Sequence, residues 1–433
     1  MTSNAPPFVV GLAGCGTVGG GLLRVLAENA GPIRERTGRD VVVKSVLVRD
    51  ASKPRAVPLP EGARFITDPA LLTNDPDIDC VVELMGGVNA AGALIEAALR
   101  AGKHVVTANK ALLAEAGMPL FALAAEHGRA LMYEASVAGG IPIVQTLKES
   151  LAGNRITSLV GILNGTSNYI LSEMSTAGLD FDTALAAAQE KGFAEADPTL
   201  DIDGHDAAHK LVLLIRLAYG VEYPCAELPV RGIRHIDRQD IAYAREFGYR
   251  IKLLGQVREV DGALEAGVFP TLVHHNYLLA KVGGSYNAVR LEGNAVGSLF
   301  LHGRGAGDLP TASAVMGDLL TVAREATPHN TGFVRQVPPR ARILPPAQAQ
   351  SCYYIRAMVH DSPGVLRDIA GAMAHEGISL AQVIQKAETT DGVPLIFMTH
   401  KAESQALRAA LEGITRAGLL RAPAVYYRVM PRV

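Results

Sequence analysis

Phe8-Val9-Val10-Gly11-Leu12-Ala13-Gly14-Cys15-Gly16-Thr17-Val18-Gly19 opens on an apolar run of strand length, breaks on glycines, and passes through two more glycines into the helical pattern L-L-R-V-L-A. Strand, glycine turn and helix in that order put a pyrophosphate at a helix N-terminus, with glycines permitting the turn and a close backbone approach. One such glycine pattern is weak evidence by itself. The downstream sequence strengthens it. Strand-like runs recur at Val41, Cys80, His104 and Ala130, separated by alanine-rich helical stretches, and this alternation predicts a doubly wound parallel α/β sheet. Gly14, Gly16, Thr17, Val18 and Gly19 are therefore expected at a dinucleotide.

The chain has 433 residues, too many for one core, and 48% of them are hydrophobic, so two or three domains are expected. A net charge of −2 gives no basic excess for nucleic acid or an anionic membrane, which leaves a small molecule as the expected partner. Four scattered cysteines, Cys15, Cys80, Cys225 and Cys352, form neither a zinc-type pair nor a disulfide framework. A reducing cytoplasm fits them. The N-terminus has no basic leader, and no apolar run reaches spanning length.

At the end of the second strand pattern, where an acidic residue would hold a ribose, stand Arg49 and nearby Lys53. Cations there suit a 2′-phosphate and favour NADP over NAD, although Asp50 directly follows Arg49. Lys110 follows the strand at His104, at the carboxyl end where open α/β sheets bind ligands. The glycines and proline between Val137 and Pro142 mark a crossing into a second domain.

The stretch from Glu190 to Leu211 concentrates Glu195, Asp197, Asp201, Asp203, Asp206 and Lys210 ahead of a buried apolar run. Asp203-Gly204 reads as a helix start, with the carboxylate accepting free N–H groups. At roughly 100° per residue, Asp206 and Lys210 share a face with Leu213, Leu214 and Leu217, while His209 and Arg216 point elsewhere. Desolvation beside leucines lowers an amine's pKa and a carboxylate one turn earlier restores part of it, which poises Lys210 for proton transfer. A plain surface ion pair is the alternative. The density of acids at the helix entry argues instead for a grip on an ammonium-bearing ligand.

Beyond Tyr219 the chain reads as short β-like pieces, and His274-His275 lacks a third ligand for a metal. A helical pattern from 311 to 326 is expected to pack back on the first domain, and a proline-bearing linker occupies 341–350. The last residues, 351–433, read as a separate βαββαβ unit with the turn Asp361-Ser362-Pro363-Gly364 before its first helix. The expected plan is thus a nucleotide domain at 1–140, an α+β catalytic and dimerisation domain at 141–310, and the tail.

The motifs G-x-x-G-x-G-x-V-G at Gly11, T-A-N-K at Thr107, N-G-T-S-N-Y-I-L at Asn164, G-F-A-E-A-D-P-x-x-D-x-x-G-x-D-x-x-x-K at Gly192 and G-A-G-x-L-P-T-A-S-A-V at Gly305 resemble those of homoserine dehydrogenases. The tail resembles an ACT domain through D-S-P-G-V-L at Asp361. The resemblance implies reversible, NAD(P)-dependent reduction of L-aspartate 4-semialdehyde to L-homoserine, with Lys210 exchanging the proton and Asp206 beside the reacting hydroxyl. It further implies Glu195, Asp201 and Lys110 at the substrate, and Lys110, Gly192 and Gly307 at the cofactor. A monovalent cation such as Na+ is implied at Glu134, Val137, Gly139 and Ile141, and a threonine effector at a tail site including Asp361 and Gly364. A homodimer or homotetramer is the family's expected assembly. Phe193 stands where some relatives have tyrosine. Two rival readings are a semialdehyde dehydrogenase acting through a cysteine thioester, and a non-catalytic amino-acid sensor.

Overall fold

The computed structural model describes residues 5–324, 330–335 and 337–431. Positions 325 and 326 of the expected helix and residues 1–4 of the N-terminal stretch lie outside the described residues.

Six strands, Phe8–Ala13 (β1), Val41–Leu47 (β2), Arg64–Ile66 (β3), Cys80–Glu83 (β4), His104–Thr107 (β5) and Leu131–Met132 (β6), form a parallel sheet in the order β3-β2-β1-β4-β5-β6. Val10, Leu12, Val81, Val82, Val105 and Val106 are wholly buried, as expected of strands covered by helices on both faces. The order reverses between β1 and β4, so a crevice opens at their carboxyl ends. Helix Asp308–Arg324 packs on helix Thr17–Glu28 so closely that a Cβ on Gly21 would lie 2.8 Å from the Asp308 carbonyl. A late segment of the chain thereby closes the nucleotide domain.

The second sheet holds ten strands: Ile156–Ile162 (β7), Tyr249–Val260 (β8), Ala263–His274 (β9), Tyr286–Gly293 (β10), Gly297–Arg304 (β11), Gln350–Val359 (β12), Leu380–Gln385 (β13), Val393–Thr399 (β14), Ala402–Glu403 (β15) and Leu420–Val429 (β16). The short β-like pieces expected here are long strands, β8 and β9 each running twelve residues. The stretch 283–307, rich in glycine, contains the hairpin of β10 and β11, with Gly293 and Gly297 at its tip.

The tail has its expected helices, Val365–His375 and Ser404–Arg416, with the short strand β15 added to the expected order. It is not a freely tethered unit. β16 pairs in parallel with β9 at Arg428↔Thr271 and Val429↔Leu272, so one sheet continues through both regions. Asp240, wholly buried on helix Arg238–Glu246, accepts from Tyr354 Oη at 2.9 Å, Arg356 Nε at 2.7 Å and Tyr427 Oη at 3.3 Å. Leu264 N–H donates to the Arg342 carbonyl and Leu344 N–H to the Leu264 carbonyl, which binds the expected linker to β9.

Candidate functional site

Gly204, at φ 89°, ends the short helix Thr199–Ile202 and starts helix His205–Tyr219. A side chain there would be strained and would crowd Val230, 3.1 Å from the Cβ position. Asp203 is not the cap anticipated from sequence: its oxygens accept from Arg234 Nε at 2.9 Å and Nη2 at 3.0 Å. A bidentate guanidinium from 31 residues away takes the carboxylate from the helix end. Leu211, Val212, Leu213, Leu214 and Ile215 are all fully buried, so this helix is enclosed nearly all round. Each such side chain contributes about 1.5–3 kcal/mol. That enclosure fixes the position of the polar residues among them.

The pair Asp206–Lys210 is therefore buried, both residues being 8% exposed, and is not a surface ion pair. Lys210 Nζ donates to Asp206 Oδ2 at 2.7 Å and to the Leu163 carbonyl at 2.7 Å. The other oxygen of Asp206 meets Lys110 Nζ at 3.2 Å. Lys110 is the first residue of helix Lys110–Glu126, whose N-terminus is capped by Asn109 accepting from Leu112 N–H. Asp206 thus joins a lysine of the nucleotide domain to one of the catalytic domain.

Asn164 completes the cluster. Its Oδ1 caps helix Gly165–Thr176 by accepting from Ser167 N–H, and its Nδ2 donates to Asp201 Oδ1 at 2.6 Å and Asp206 Oδ2 at 2.8 Å. The cap is a contact three residues along the chain, whereas the tie between two carboxylates is not encoded locally. Glu195 is exposed on the loop leading to these groups, close enough for its charge to favour protonated Lys110. Phe193 packs on Tyr169, their ring centroids 4.9 Å apart.

Burial lowers the Lys210 pKa below its ordinary value; Asp206 opposes the shift and the nearby Lys110 adds to it. Burial would raise Asp206, but the two ammonium groups outweigh it and hold the carboxyl far below the usual range. Asp206 raises Lys110, whereas desolvation raises Asp201. Two carboxyls bridged by the Asn164 amide are thus driven in opposite directions. Lys210 is the group placed to change protonation, and Asp206 the fixed charge beside it.

The opposite face of helix His205–Tyr219 seams the two domains. His209 Nε2 lies 3.1 Å from Glu115 Oε1, and Arg216 Nη1 donates to the Leu113 carbonyl at 3.3 Å, both on helix Lys110–Glu126. These are the two residues whose helical angle turned them away from the Lys210 row.

At the crevice of the parallel sheet lies a cavity of about 1610 Å³ lined by Gly14, Gly16, Thr17, Arg49, Lys53 and Arg55, among others. A Cβ on Gly14 would fall 2.5 Å from the Leu84 carbonyl, while the space beside Gly16 is open. Among the described residues no side chain caps the helix that begins at Thr17, so its first N–H groups remain available to an anion. Val18 and Gly19, expected at the cofactor, stand behind this wall: a Cβ on Gly19 would lie 2.1 Å from the Gly14 carbonyl, so its absence lets the turn close. Gly307 has φ 122° and precedes Asp308, which is on the wall and pairs with Arg24 at 2.8 Å. Gly192 has φ 72° in the loop before Glu195 and does not line the cavity.

Asp50 Oδ1 accepts from Ser52 N–H at 2.8 Å and Ser52 Oγ at 2.7 Å, so the competing carboxylate is held in its own turn. Arg55, overlooked in the sequence, donates to the carbonyls of Lys53 and Asp50, each at 2.7 Å, and stacks over Phe65. Cys15 is on the cavity wall, its thiol pKa raised by burial, and Cys80 is buried in β4. Neither adjoins the Asp206–Lys210 pair as a thioester mechanism requires.

At the domain junction, Glu134 is buried and its two carboxylate oxygens accept from Val144 N–H at 2.9 Å and Gln145 N–H at 2.7 Å. Ala138 and Gly139 both have φ 55°, which reverses the backbone before Ile141. In the tail, Gly364 at φ 93° starts helix Val365–His375 and Asp361 is exposed on the turn before it.

Comparison with known proteins gives one answer over the whole chain. Residues 14–134 match the family model "Homoserine dehydrogenase, NAD binding domain", and residues 142–320 match "Homoserine dehydrogenase". A homoserine dehydrogenase of Neisseria gonorrhoeae is 42% identical over 98% of both chains, and one of Pseudomonas aeruginosa is 43% identical over 98% of this chain and 99% of its own. The crystal structure of a homoserine dehydrogenase from Thiobacillus denitrificans superposes with a TM-score of 0.93 at 42% identity, covering 98% of each chain. A hyperthermophilic archaeal homoserine dehydrogenase mutant solved in complex with NADPH matches at 27% identity and a TM-score of 0.62, over 73% of this chain and 98% of its own.

Proposed function

The chain belongs to the homoserine dehydrogenase family, NAD(P)-dependent oxidoreductases acting on L-aspartate 4-semialdehyde and L-homoserine, and we propose that Lys210 is its proton donor and acceptor. The observation carrying this reading is the buried amine held 2.7 Å from both Asp206 Oδ2 and the Leu163 carbonyl. Both partners only accept hydrogen bonds. A neutral Lys210 must therefore turn two N–H groups toward them, which directs its lone pair toward the remaining open quadrant. There it takes the hydroxyl proton of homoserine, and in the reverse direction the ammonium protonates the developing alkoxide. The bound nicotinamide would accept the hydride as NAD(P)+ when homoserine is oxidised and supply it as NAD(P)H when the semialdehyde is reduced. The uncapped helix N-terminus at Thr17 and the glycine cradle would hold its pyrophosphate.

Lys110 orients Asp206 and adds positive charge near the carbonyl oxygen, and Glu195 with Asp201 receives the substrate ammonium. The test is loss of nicotinamide absorbance on adding L-aspartate 4-semialdehyde to enzyme and NADPH. No turnover by the folded protein would refute the assignment and favour a non-catalytic sensor.

NADP is the preferred cofactor, because Arg49, Lys53 and Arg55 line one side of the cavity while Asp50 is engaged by Ser52. A monovalent cation such as Na+ binds the Glu134–Ile141 turn through the backbone carbonyls of Val137, Gly139 and Ile141. The Glu134 carboxylate, already holding two N–H groups, braces the turn. Melting in sodium against choline chloride at equal ionic strength tests this site. The tail binds threonine at the Asp361–Gly364 turn as feedback effector, and the enzyme assembles as a homodimer or homotetramer in the cytoplasm.

A further inference from the structure

We propose that Asn287 is a positioning residue for proton transfer, fixing the carbonyl that aims Lys210; this rests on Lys210 being the acid and base. Asn287 stands near the start of β10, is fully buried, and donates through Nδ2 to the Leu163 carbonyl at 3.1 Å. Lys210 Nζ donates to the same oxygen at 2.7 Å. Leu163 directly follows β7, and its neighbour Ile162 pairs with Ala288, so the sheet itself sets the asparagine beside this carbonyl.

The placement is exacting on the other side as well. A Cβ on Gly305 would lie 2.1 Å from Asn287 Cγ and 2.2 Å from its Oδ1, so the amide lies flat against the turn leading to Gly307 and the cavity. Among the described residues its buried Oδ1 has no hydrogen-bond partner, a loss that apolar packing would avoid. The polar contact this side chain makes is thus the one through its donor. Leu163 begins a polar turn and its carbonyl has left the β ladder, so without a second donor the peptide is free to rotate away from the amine. Lys210 would then keep Asp206 as its one fixed acceptor, and its lone pair would sample directions away from substrate.

Asn287→Asp keeps the shape and removes the donor when ionised. It should lower kcat at least about 10-fold, leave KM for L-homoserine and NADPH affinity within about 2-fold, and displace the pH limb assigned to Lys210. An ionised aspartate beside Lys210 also moves the limb by its charge, so Asn287→Leu, which removes the donor and adds no charge, must show the same fall in kcat; packing under Gly305 alone would leave kcat and the pH profile of the leucine variant as in wild type, and that result overturns the inference. If the aspartate variant does not fold, Asn287→Ala decides by kcat corrected for the folded fraction: a fall with a displaced limb supports the role, and wild-type turnover per folded molecule refutes it. Lys210→Ala is assayed alongside. Should that variant remain active, the acid–base assignment itself has failed; should it be inactive while Asn287→Asp is normal, only the asparagine's role has.

Discussion

Glu195 and Arg49 are the residues whose roles separate most cleanly by kinetics. A carboxylate pairing with the substrate ammonium acts in ground and transition states alike, so Glu195→Gln should raise KM for L-homoserine about 10-fold while kcat changes less than about 3-fold. An equal loss in kcat at unchanged KM would place Glu195 in the chemical step instead. A guanidinium on a 2′-phosphate contributes about 1.5–3 kcal/mol, so Arg49→Ala should cost NADPH about 10- to 100-fold in kcat/KM and leave NADH nearly unaffected. Matched losses with both cofactors would remove the phosphate role. Arg55, fixed by two carbonyls and a ring, sets the lower end of that range, since it can retain part of the grip. The Asp206–Lys210 pair could be read from the sequence because i,i+4 spacing is local. Asn164 and Asn287 could not be assigned their contacts, because their partners lie 42 and 124 residues away and no periodicity encodes such distances.

Among the elements, helix Asp308–Arg324 carries a pH-dependent liability. Asp318 is buried and accepts from Glu134 N–H at 2.8 Å, and burial, with the Glu134 charge nearby, pushes its pKa up to about 8. A carboxyl whose pKa is raised on folding holds its proton while the unfolded chain releases it. Stability is therefore full below the unfolded value near 3.8 and declines as pH rises toward 8. Asp318→Asn retains an acceptor for Glu134 N–H and cannot ionise, so its Tm should exceed that of wild type by a margin that is larger at pH about 8 than at pH about 5 and closes below the unfolded value near 3.8. Parallel melting curves at both pH values would show the ion is tolerated. The glycine-loop strand and helix were legible because their chemistry lies within twelve residues, whereas the start of helix His205–Tyr219 was misassigned to Asp203. Arg234 competes for that carboxylate from a distant loop, and capping preference alone carries no information about such a competitor.

On the scale of the whole molecule, a nucleotide domain, a catalytic sheet and a tail are joined by charged residues buried at their seams. The sequence shows the tail's own strands and helices, and its linker looks like a tether because prolines and glutamines do not announce pairing with β9. Asp240→Ala would strand Arg356 without its carboxylate and should cost about 3–5 kcal/mol in urea unfolding; a change below about 0.5 kcal/mol would show the tail is loosely held. The same seams bring Lys110 from one domain to Asp206 of the other, which makes turnover a property of the assembled molecule. The most direct test of that assembly is the steady-state reduction of L-aspartate 4-semialdehyde by NADPH in wild type and Lys210→Ala, with NADPH affinity measured in both. Removing the acid while leaving the phosphate grip should lower kcat at least about 100-fold with NADPH affinity within about 2-fold, and a variant keeping more than about a tenth of wild-type kcat would contradict it.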